Sequence, residues 1–522
     1  MDAPLLSRLD RRPLLWLALY GLLIPATQMR FGLGVLAWVA PVPLIHYLRL
    51  RPAWGAGASA LLVGMMAWTL ATLSIVTAPL PAVLAPAFGV PIGLALTLPY
   101  LATHVVRRRW GERAAVLAFA GLAVFAEWAL HALAPMGTWG SAANTQLDDL
   151  ALLQLASVTG LHGVSFLVYL VAGVLESVLS SPRQTRTLAL VVAVLAAVSS
   201  LGQLRLLRFD AMGDETVRVA AIDTPSKVGR GPLPSAKEVA EVDRVLHART
   251  REAARAGAAL VVWTEAATMV LPEDEPQFLA DLHELAREAS VRLVAGYVVP
   301  ISKAPLRYRN RYAYVTPAGV DHIYDKHEPV PGEPAERGTG PMPLVVDPVL
   351  GRVSGAICYD YDFPRVARRH ALLDVDLVAL PASDWRGIDP LHTQMASLRA
   401  IEGGHSLIRS TRFGLSAGYD PLGRPRAWQS HFDRLDGDPR GILLMNLPRH
   451  GVSTVYGRLG DWFPLLSALL GFGLLAASLS GYPRAPWIRS SPSPAAPPST
   501  RAPDSGWTPT RSCAPPGSSG PR

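Results

Sequence analysis

Two regions of the chain differ in their pattern of hydrophobic and polar positions. Long apolar runs fill roughly the first two hundred residues and recur once near the end, whereas the region between them alternates short apolar runs with amphipathic stretches. Runs of that length can cross about 30 Å of hydrocarbon as helices. They predict eight spans, near 13–28, 32–48, 55–77, 82–105, 114–133, 161–180, 186–204 and 462–482.

The region between the last two spans has the pattern of an α/β fold. Its β-branched runs at 217–222, 259–263 and 291–296 are separated by amphipathic stretches at 236–256 and 275–289. Such alternation is typical of strands interleaved with helices. Further strands are predicted at 311–316, 352–358, 375–380, 405–411 and 415–419, with a helix at 390–402.

These patterns divide the chain into four parts. Residues 1–208 are predicted to form a transmembrane domain of about seven spans, 209–455 a catalytic α/β domain, and 456–483 the final span. Residues 484–522 are rich in proline, serine and arginine, a composition that predicts a disordered tail.

The arginines predict how the chain is oriented. They cluster before span one and after spans two, four, six and eight, whereas the alternate loops contain only Arg30. Because positive charge accumulates in short cytoplasmic loops, both termini are predicted to be cytoplasmic and 209–455 extracytoplasmic. The net charge of +8 is spread over these loops and forms no single basic face, which argues against a nucleic-acid partner.

Few residues offer special chemistry. The two cysteines, Cys358 and Cys513, predict no disulfide framework, so Cys358 is expected to be a free thiol. The sequence has neither a P-loop nor a dinucleotide-binding glycine pattern, and no cofactor is predicted. No histidine pairs with a cysteine or carboxylate at ligand spacing, so no metal is predicted either.

Three polar residues follow apolar, strand-like runs. These are Glu265, Lys326 and Cys358. Strand ends commonly carry catalytic groups in α/β folds, and the trio suggests a thiol enzyme. Taken singly, each also has an ordinary interpretation, namely a solvated carboxylate, a surface lysine or a small buried hydrophobic residue.

The motifs around these residues resemble the three signatures of the nitrilase, or carbon–nitrogen hydrolase, superfamily. They are Trp-Thr-Glu-Ala (263–266), Tyr-Asp-Lys-His (324–327) with Pro-Gly-Glu (331–333), and Ile-Cys-Tyr-Asp (357–360). Ser-Asp-Trp (383–385) and the stretches 392–402 and 414–424 look like the C-terminal half of the same superfamily. The resemblance implies an αββα sandwich.

Such a domain placed before the last of about eight spans is similar to the bacterial apolipoprotein N-acyltransferases. Gly-Thr-Trp-Gly (137–140) and the stretch 152–167 support this likeness. The resemblance implies a multi-pass protein of the bacterial inner membrane, with its catalytic domain facing the periplasm or cell exterior. Its partners would be membrane lipid, a phospholipid acyl donor and a diacylglyceryl apolipoprotein acceptor.

The chemistry of acyl transfer suggests a role for most of the site residues, and the resemblance implies the role of Glu333. Glu265 would be the general base, and Cys358 the nucleophile that forms a thioester. Lys326 and the backbone N–H of Tyr359 would stabilise the oxyanion. Glu333 would orient the lysine or the glutamate, with Asp360 a weaker candidate for that task.

The sequence departs from the family pattern in two places. No aromatic residue precedes Gly-Glu in the loop after Lys326, and Arg412 occupies a position where the family commonly has a small amide-bearing residue. These departures concern the geometry of the loop and the preference for substrate.

Three alternatives are open to different degrees. A membrane-tethered amidase would use the same triad with water as acceptor, and a lipid-binding protein could carry an inactive domain of this fold. Gly-Leu-Ser-Ala-Gly (414–418) matches the nucleophile elbow of serine hydrolases, which would make Ser416 the nucleophile. An elbow needs a helix directly after the serine, and here a turn follows, so Ser416 is rejected.

Overall fold

The structure is a computed structural model. It describes residues 9–51, 54–213, 215–224, 226, 228, 233–432 and 441–480. The predicted tail at 484–522 lies outside the described residues.

The N-terminal part of the chain is helical. Its helices are α1 (Pro13–Thr27), α2 (Gly34–Ala37), α3 (Val42–Leu50), α4 (Trp54–Thr72), α5 (Ala85–Trp110), α6 (Glu112–Leu133), α7 (Leu150–Leu153), α8 (Ala156–Thr159), α9 (Leu161–Ser180) and α10 (Thr185–Met212).

The α/β region follows. It contains β1 (Thr216–Ile222), α11 (Ala236–Arg255), β2 (Leu260–Trp263), β3 (Thr268–Met269), α12 (Glu275–Ala289), β4 (Arg292–Lys303), β5 (Leu306–Thr316), β6 (Gly319–Asp325), β7 (Val345–Asp347), β8 (Gly351–Gly355), α13 (Pro364–Leu372), β9 (Leu377–Ser383), α14 (Leu391–Gly403), β10 (Ser406–Arg412), β11 (Leu415–Tyr419), β12 (Pro425–Ser430) and β13 (Ile442–Pro448). Two last helices complete the described chain, α15 (Val455–Leu459) and α16 (Trp462–Leu479).

Six helical segments of the described chain are long and apolar enough to cross a membrane. They are α4, α5 with the 3₁₀ turn before it, α6, α9, α10 and α16. The first two predicted spans are shorter: α1 has 15 residues with Pro25 inside it, and the second is divided into α2 and α3. The total of eight spans therefore stays a prediction.

Small residues let two of these helices pack closely. A Cβ atom added to Gly89 of α5 would lie 2.4 Å from the Cα of Thr69 in α4, and one added to Gly93 would lie 2.6 Å from the Cα of Met65. Both distances are below any real contact, so the helix pair requires glycine at these two positions. Backbone approach of this kind is how membrane helices gain packing energy without a hydrophobic driving force.

The α/β region is an αββα sandwich, as predicted. One sheet has the strand order β13-β1-β2-β4-β5-β6, with β3 paired to β4, and the other has the order β12-β11-β10-β9-β8-β7. Apolar side chains of both sheets, including Val219, Leu260, Leu377 and Ile408, form the core between them. Helices α11 and α12 pack on the first sheet, and α13 and α14 contact the strands and turns of the second.

Local sequence explains where several elements begin and end. Ser235 and Glu238 form a reciprocal capping box at the start of the amphipathic α11. The strand predicted at 352–358 ends earlier than expected, at Gly355, because the chain turns tightly from Cys358 onwards. The nucleophile candidate therefore lies on a turn beyond the strand and not on the strand itself.

Candidate active site

Cys358 begins the 3₁₀ turn Cys358–Asp362 and has a backbone φ of +48°. Such a conformation is costly for a residue with a side chain, and it is found most often at functional sites. The side chain is buried, with the residue only 3% exposed, and its Sγ lies 3.6 Å from the carbonyl oxygen of Ser383 at the end of β9. The turn aims the sulfur inward.

Glu265 and Lys326 form a buried ion pair. Glu265 follows β2 and Lys326 follows β6, and the Nζ atom of Lys326 lies 2.8 Å from Oε1 of Glu265. Nδ2 of Asn310, on β5, donates to the same Oε1 at 2.8 Å. The backbone N–H of Lys326 also donates to the carbonyl oxygen of Asn310 at 2.8 Å. Strand β5 therefore fixes both members of the pair.

Glu333 is the second carboxylate on the lysine. Its Oε2 lies 2.8 Å from Nζ of Lys326 and accepts the backbone N–H of Val330 at 2.9 Å, while Oε1 accepts Nδ2 of Asn310 at 3.0 Å. Glu333 thus joins the loop after Lys326 to the ion pair. The structure brings the predicted Glu265, Lys326 and Glu333 together. It adds Asn310, a polar residue directly before the strand predicted at 311–316.

Electrostatics favour a neutral thiol and a charged lysine at rest. Burial raises the pKa of the Cys358 thiol well above its usual value, and the charge of Glu265 adds to this against the opposing charge of Lys326. Burial alone would lower the pKa of Lys326, but Glu265 and Glu333 outweigh it and raise that pKa well above its usual value. A base is therefore needed to make the thiolate.

Asp360 links the cysteine turn to the loop that follows Lys326. Its carboxylate accepts the backbone N–H groups of Ile357 at 2.9 Å and Glu328 at 2.6 Å, and the hydroxyl of Tyr324 at 3.0 Å. Burial raises the pKa of Asp360 to about 7. Asp360 therefore fixes the turn and the loop through these hydrogen bonds, whereas Glu333 contacts the lysine ammonium directly.

A second ionic cluster lies on another side of the sulfur, and the sequence analysis missed it. His392 on α14 lies between Asp362 and Asp384, and Arg409 on β10 contacts Asp384. One polar atom each of Cys358, Asp384 and His392 lies within 4.8 Å of the other two. Both ring nitrogens of His392 face carboxylates, so we interpret the cluster as ion pairing. The absence of a metal stays a prediction.

An apolar pocket leads to Cys358 from the membrane helices. Its walls come from both parts of the protein and are predominantly apolar. The helical part contributes Met29, Ile75, Phe88, Ile92, Met136 and Trp139, and the α/β part contributes Val330, Tyr359, Trp385 and Ile388. Cys358 is itself one of the residues that line this pocket.

Hydrogen bonds join the pocket walls to the membrane part. The Tyr359 hydroxyl donates to the carbonyl oxygen of Pro135 at 2.8 Å, and Nε1 of Trp385 donates to that of Ile75 at 2.7 Å. Tyr359 was predicted to contribute its backbone N–H; its side chain has this further, structural contact. These two hydrogen bonds hold residues that line the pocket with Cys358 against the helical part of the protein.

Arg412 and Ser416 have structural surroundings. Arg412 donates to the Ser383 hydroxyl at 3.0 Å and to the carbonyl oxygen of Val228 at 2.8 Å, so it braces the segment whose carbonyl touches the sulfur. Ser416 lies within β11, and its hydroxyl bonds to the backbone of Thr411 on β10. That placement agrees with the rejection of Ser416 as a nucleophile.

The sandwich and the helical bundle that adjoins it define a membrane-embedded protein of the carbon–nitrogen hydrolase class. The carbon–nitrogen hydrolase family model matches residues 218–435, and the model of the apolipoprotein N-acyltransferase N-terminal domain matches residues 20–174. The chain belongs to the apolipoprotein N-acyltransferase family. It is a multi-pass membrane protein, and the predicted family and fold are confirmed.

Similar proteins cover nearly the whole chain. The apolipoprotein N-acyltransferase of Geobacter metallireducens is 25% identical over 88% of this chain and 94% of its own length. That of Azotobacter vinelandii is 28% identical over 87% of this chain and 93% of its own length. Among solved structures, an amidase from Nesterenkonia sp. is 19% identical over 45% of this chain and 91% of that one, with a TM-score of 0.35.

Proposed function

We propose that the protein transfers an acyl chain from a phospholipid to the N-terminal amine of a diacylglyceryl-cysteine apolipoprotein, through a thioester on Cys358. One observation carries the proposal: Cys358 lines an apolar pocket whose walls include membrane helices. A pocket of that kind suits an acyl chain, because burial of each methylene contributes about 0.8 kcal/mol. The names of the similar proteins support the same reaction.

The first half of the reaction forms the thioester. Glu265 takes the proton of Cys358, and the thiolate attacks the carbonyl carbon of the phospholipid ester. The tetrahedral intermediate collapses, the C–O bond breaks, and the leaving alcohol takes the proton from Glu265. The products are a lysophospholipid and an acyl-Cys358 enzyme.

Each tetrahedral intermediate carries an oxyanion that needs hydrogen-bond donors. Lys326 remains positively charged between its two carboxylates, and the backbone N–H of Tyr359 follows the nucleophile directly. Donors that are fixed before the reaction lower the barrier more than donors that must reorient. Glu333 and Asp360 act by fixing the lysine and the cysteine turn.

The second half transfers the acyl chain to nitrogen. The neutral amine of the apolipoprotein attacks the thioester carbonyl, Glu265 accepts the proton released from nitrogen, and the C–S bond breaks. The departing thiolate regains a proton from Glu265, which restores the resting enzyme. The thioester conserves the activation of the original ester, so the cycle requires no nucleotide.

Substrates of both steps are anchored in a bilayer, which fits a site at the junction of the helical bundle and the sandwich. We place the sandwich on the periplasmic or outer side of the bacterial inner membrane, because the arginine-rich loops predict that orientation. An amidase that hydrolyses small amides would need water at the sulfur, whereas the pocket walls named above are apolar. This difference favours the acyltransferase.

The test is intact-mass spectrometry of purified protein after incubation with phospholipid, in a Cys513→Ala background that leaves one thiol. The parent is expected to gain the mass of one acyl chain, which hydroxylamine removes, and Cys358→Ser is expected to gain nothing that hydroxylamine releases under the same mild conditions. A folded parent protein that acquires no adduct in the presence of phospholipid would contradict the proposal.

A further inference from the structure

The cluster around His392 gathers residues from four separate segments. His392 is on α14, Asp362 is in the cysteine turn, Asp384 follows β9, and Arg409 is on β10. Nε2 of His392 lies 2.7 Å from Oδ1 of Asp362, and Nδ1 lies 2.8 Å from Oδ1 of Asp384. All four side chains are buried.

The charges around the imidazole ring favour its protonation. A neutral imidazole has a single N–H, so one of its nitrogens would direct a lone pair at a carboxylate oxygen. A doubly protonated ring donates to both Asp362 and Asp384. Nη2 of Arg409 lies 2.9 Å from the same Asp384 oxygen and 2.9 Å from Nδ1 of His392 itself, so this ring nitrogen faces a cation as well as a carboxylate. With a neutral ring, the buried cluster has two carboxylates and one guanidinium, and a second proton on the ring brings its net charge to zero. Burial lowers the pKa of His392, but Asp362 and Asp384 outweigh burial and the nearby Arg409 and raise it to about 9.

The charges around the sulfur explain how a proton on His392 favours the thiolate of Cys358. On the triad side, Glu333 and Lys326 sum to zero once Glu265 has taken the proton of the thiol. On the other side, Asp362, Asp384, Arg409 and a protonated His392 sum to zero. With a neutral His392, this cluster would carry one net negative charge, which opposes the formation of a buried thiolate.

The cluster also connects the sulfur to the pocket wall. Nε1 of Trp139, from the helical part, donates to the other carboxylate oxygen of Asp362 at 2.7 Å. Asp384 follows Ser383, whose carbonyl oxygen lies beside the sulfur. His392 therefore joins the two segments that flank Cys358, and one of them is bonded to a residue lining the apolar pocket.

We propose that His392 is a positioning residue for Cys358: as an imidazolium between Asp362 and Asp384, it fixes the cysteine turn and supplies a buried positive charge that favours the thiolate. The inference rests on the proposed role of Cys358 as nucleophile. Its test measures only the reactivity of the thiol, so it can fail while acyl transfer stands, or hold while acyl transfer fails.

The test is the rate of alkylation of Cys358 by iodoacetamide as a function of pH, followed by mass spectrometry in the Cys513→Ala background. His392→Gln is expected to move the midpoint of the pH profile upward and to slow alkylation near neutral pH by about tenfold or more, because a charge a few ångströms from the sulfur is lost. His322→Gln is the matched control. It removes a histidine that pairs with Asp321 on β6, and it should leave the profile unchanged.

A second variant tests whether the effect of His392 on the pH profile comes from its charge or from its shape. His392→Gln with Asp362→Asn removes one positive and one negative charge together, so no unpaired buried charge remains to prevent folding. Asp384 and Arg409 then sum to zero, as the whole cluster does in the parent, so its midpoint is expected close to that of the parent. If folded His392→Gln protein keeps the midpoint of the parent, or if the double variant shifts the midpoint as far as His392→Gln does, the proposal is overturned. A purely structural role would change stability without moving the profile.

Discussion

Two buried ionic networks, one in the helical part and one at the active site, use similar side chains in different ways. In the helical part, Arg49 donates to both Glu176 and Glu112, at 2.6 to 2.8 Å, and Arg107 and His46 also contact Glu176. At the active site, a single lysine lies between two carboxylates. In the helical network, arginine guanidinium groups donate several hydrogen bonds to the carboxylates. At the active site, a single compact ammonium group lies between the two carboxylates.

The presence of lysine at the active site is informative, because most basic residues of this chain are arginines. Only four of its 49 basic residues are lysines, Lys227, Lys237, Lys303 and Lys326. A guanidinium binds carboxylates in a fixed planar geometry, which suits a permanent link between helices. An ammonium can donate in three directions from one point, which suits a site where an oxyanion appears and disappears. Lys326 is almost fully buried, with 1% of the residue exposed.

The largest expected effect comes from exchanging the cations. Lys326→Arg should lower the rate of acyl transfer by about a thousandfold or more, because the larger planar group cannot occupy the same buried point between two carboxylates and lies wrongly for the oxyanion. The measurement is single-turnover thioester formation with folded protein. Lys303→Arg, at an exposed position of β4, is the control and should retain full activity. A Lys326→Arg enzyme within tenfold of the parent would remove the distinction between the two networks.

The second largest effect on the rate is expected from Glu333, the second carboxylate that contacts Lys326. Glu333→Gln should slow thioester formation by about ten- to a hundredfold, since the amide keeps the shape but no longer helps to fix the ammonium and the loop at Val330. Glu336→Gln provides the comparison, because Glu336 pairs with exposed Arg307 on the surface. Equal activities of the two variants would show that Glu333 is dispensable.

In the helical network, the expected effect is on stability. Glu176→Gln should lower the free energy of unfolding by about 3 kcal/mol, because Arg49 and Arg107 lose a buried counter-charge. It should leave the rate of thioester formation of the folded enzyme nearly unchanged. Thermal unfolding in detergent and single-turnover kinetics on the same preparation measure both quantities. A catalytic defect with normal stability would mean that the two networks are coupled.

The smallest expected effect concerns pH. Burial would raise the pKa of Glu333, but Lys326 lowers it below its usual value. A lowered pKa in the folded state stabilises the protein above the unfolded pKa, near 4.3, and this contribution is lost as the pH falls through the folded value. The stability difference between parent and Glu333→Gln should therefore be constant near neutral pH and shrink below about pH 4. A difference that grows in acid would contradict the assignment.

The sequence predicted those elements and site residues whose signal lies within one short stretch of the chain. Strand β11 and helix α14 were predicted within one residue of their observed ends, because an alternating or helical run with clear breaks surrounds each. Glu265, Lys326, Glu333 and Cys358 were recognised from short motifs, and the structure places the three charged residues in one hydrogen-bonded group. Their roles in catalysis stay proposals.

Other features depend on contacts between distant segments and left no local signal. Strand β13 was not predicted; it pairs with β1, more than two hundred residues earlier, with Thr216 opposite Pro448. The His392 cluster was missed for the same reason, because its members come from a turn, a strand end, a helix and a strand. The first two predicted spans are longer than the helices observed there. In the second span this is because hydropathy alone does not show the break between α2 and α3.

The measurement that tests the central claim most directly is a chase of the isolated acyl-enzyme. Protein acylated by phospholipid is separated from lipid and mixed with a diacylglyceryl-cysteine peptide that has a free N-terminus. The adduct on Cys358 is expected to disappear as the peptide gains one acyl chain, in equal amounts and at a rate that accounts for turnover. Loss of the adduct to water as free fatty acid, with the peptide unchanged, would contradict the account and identify a hydrolase.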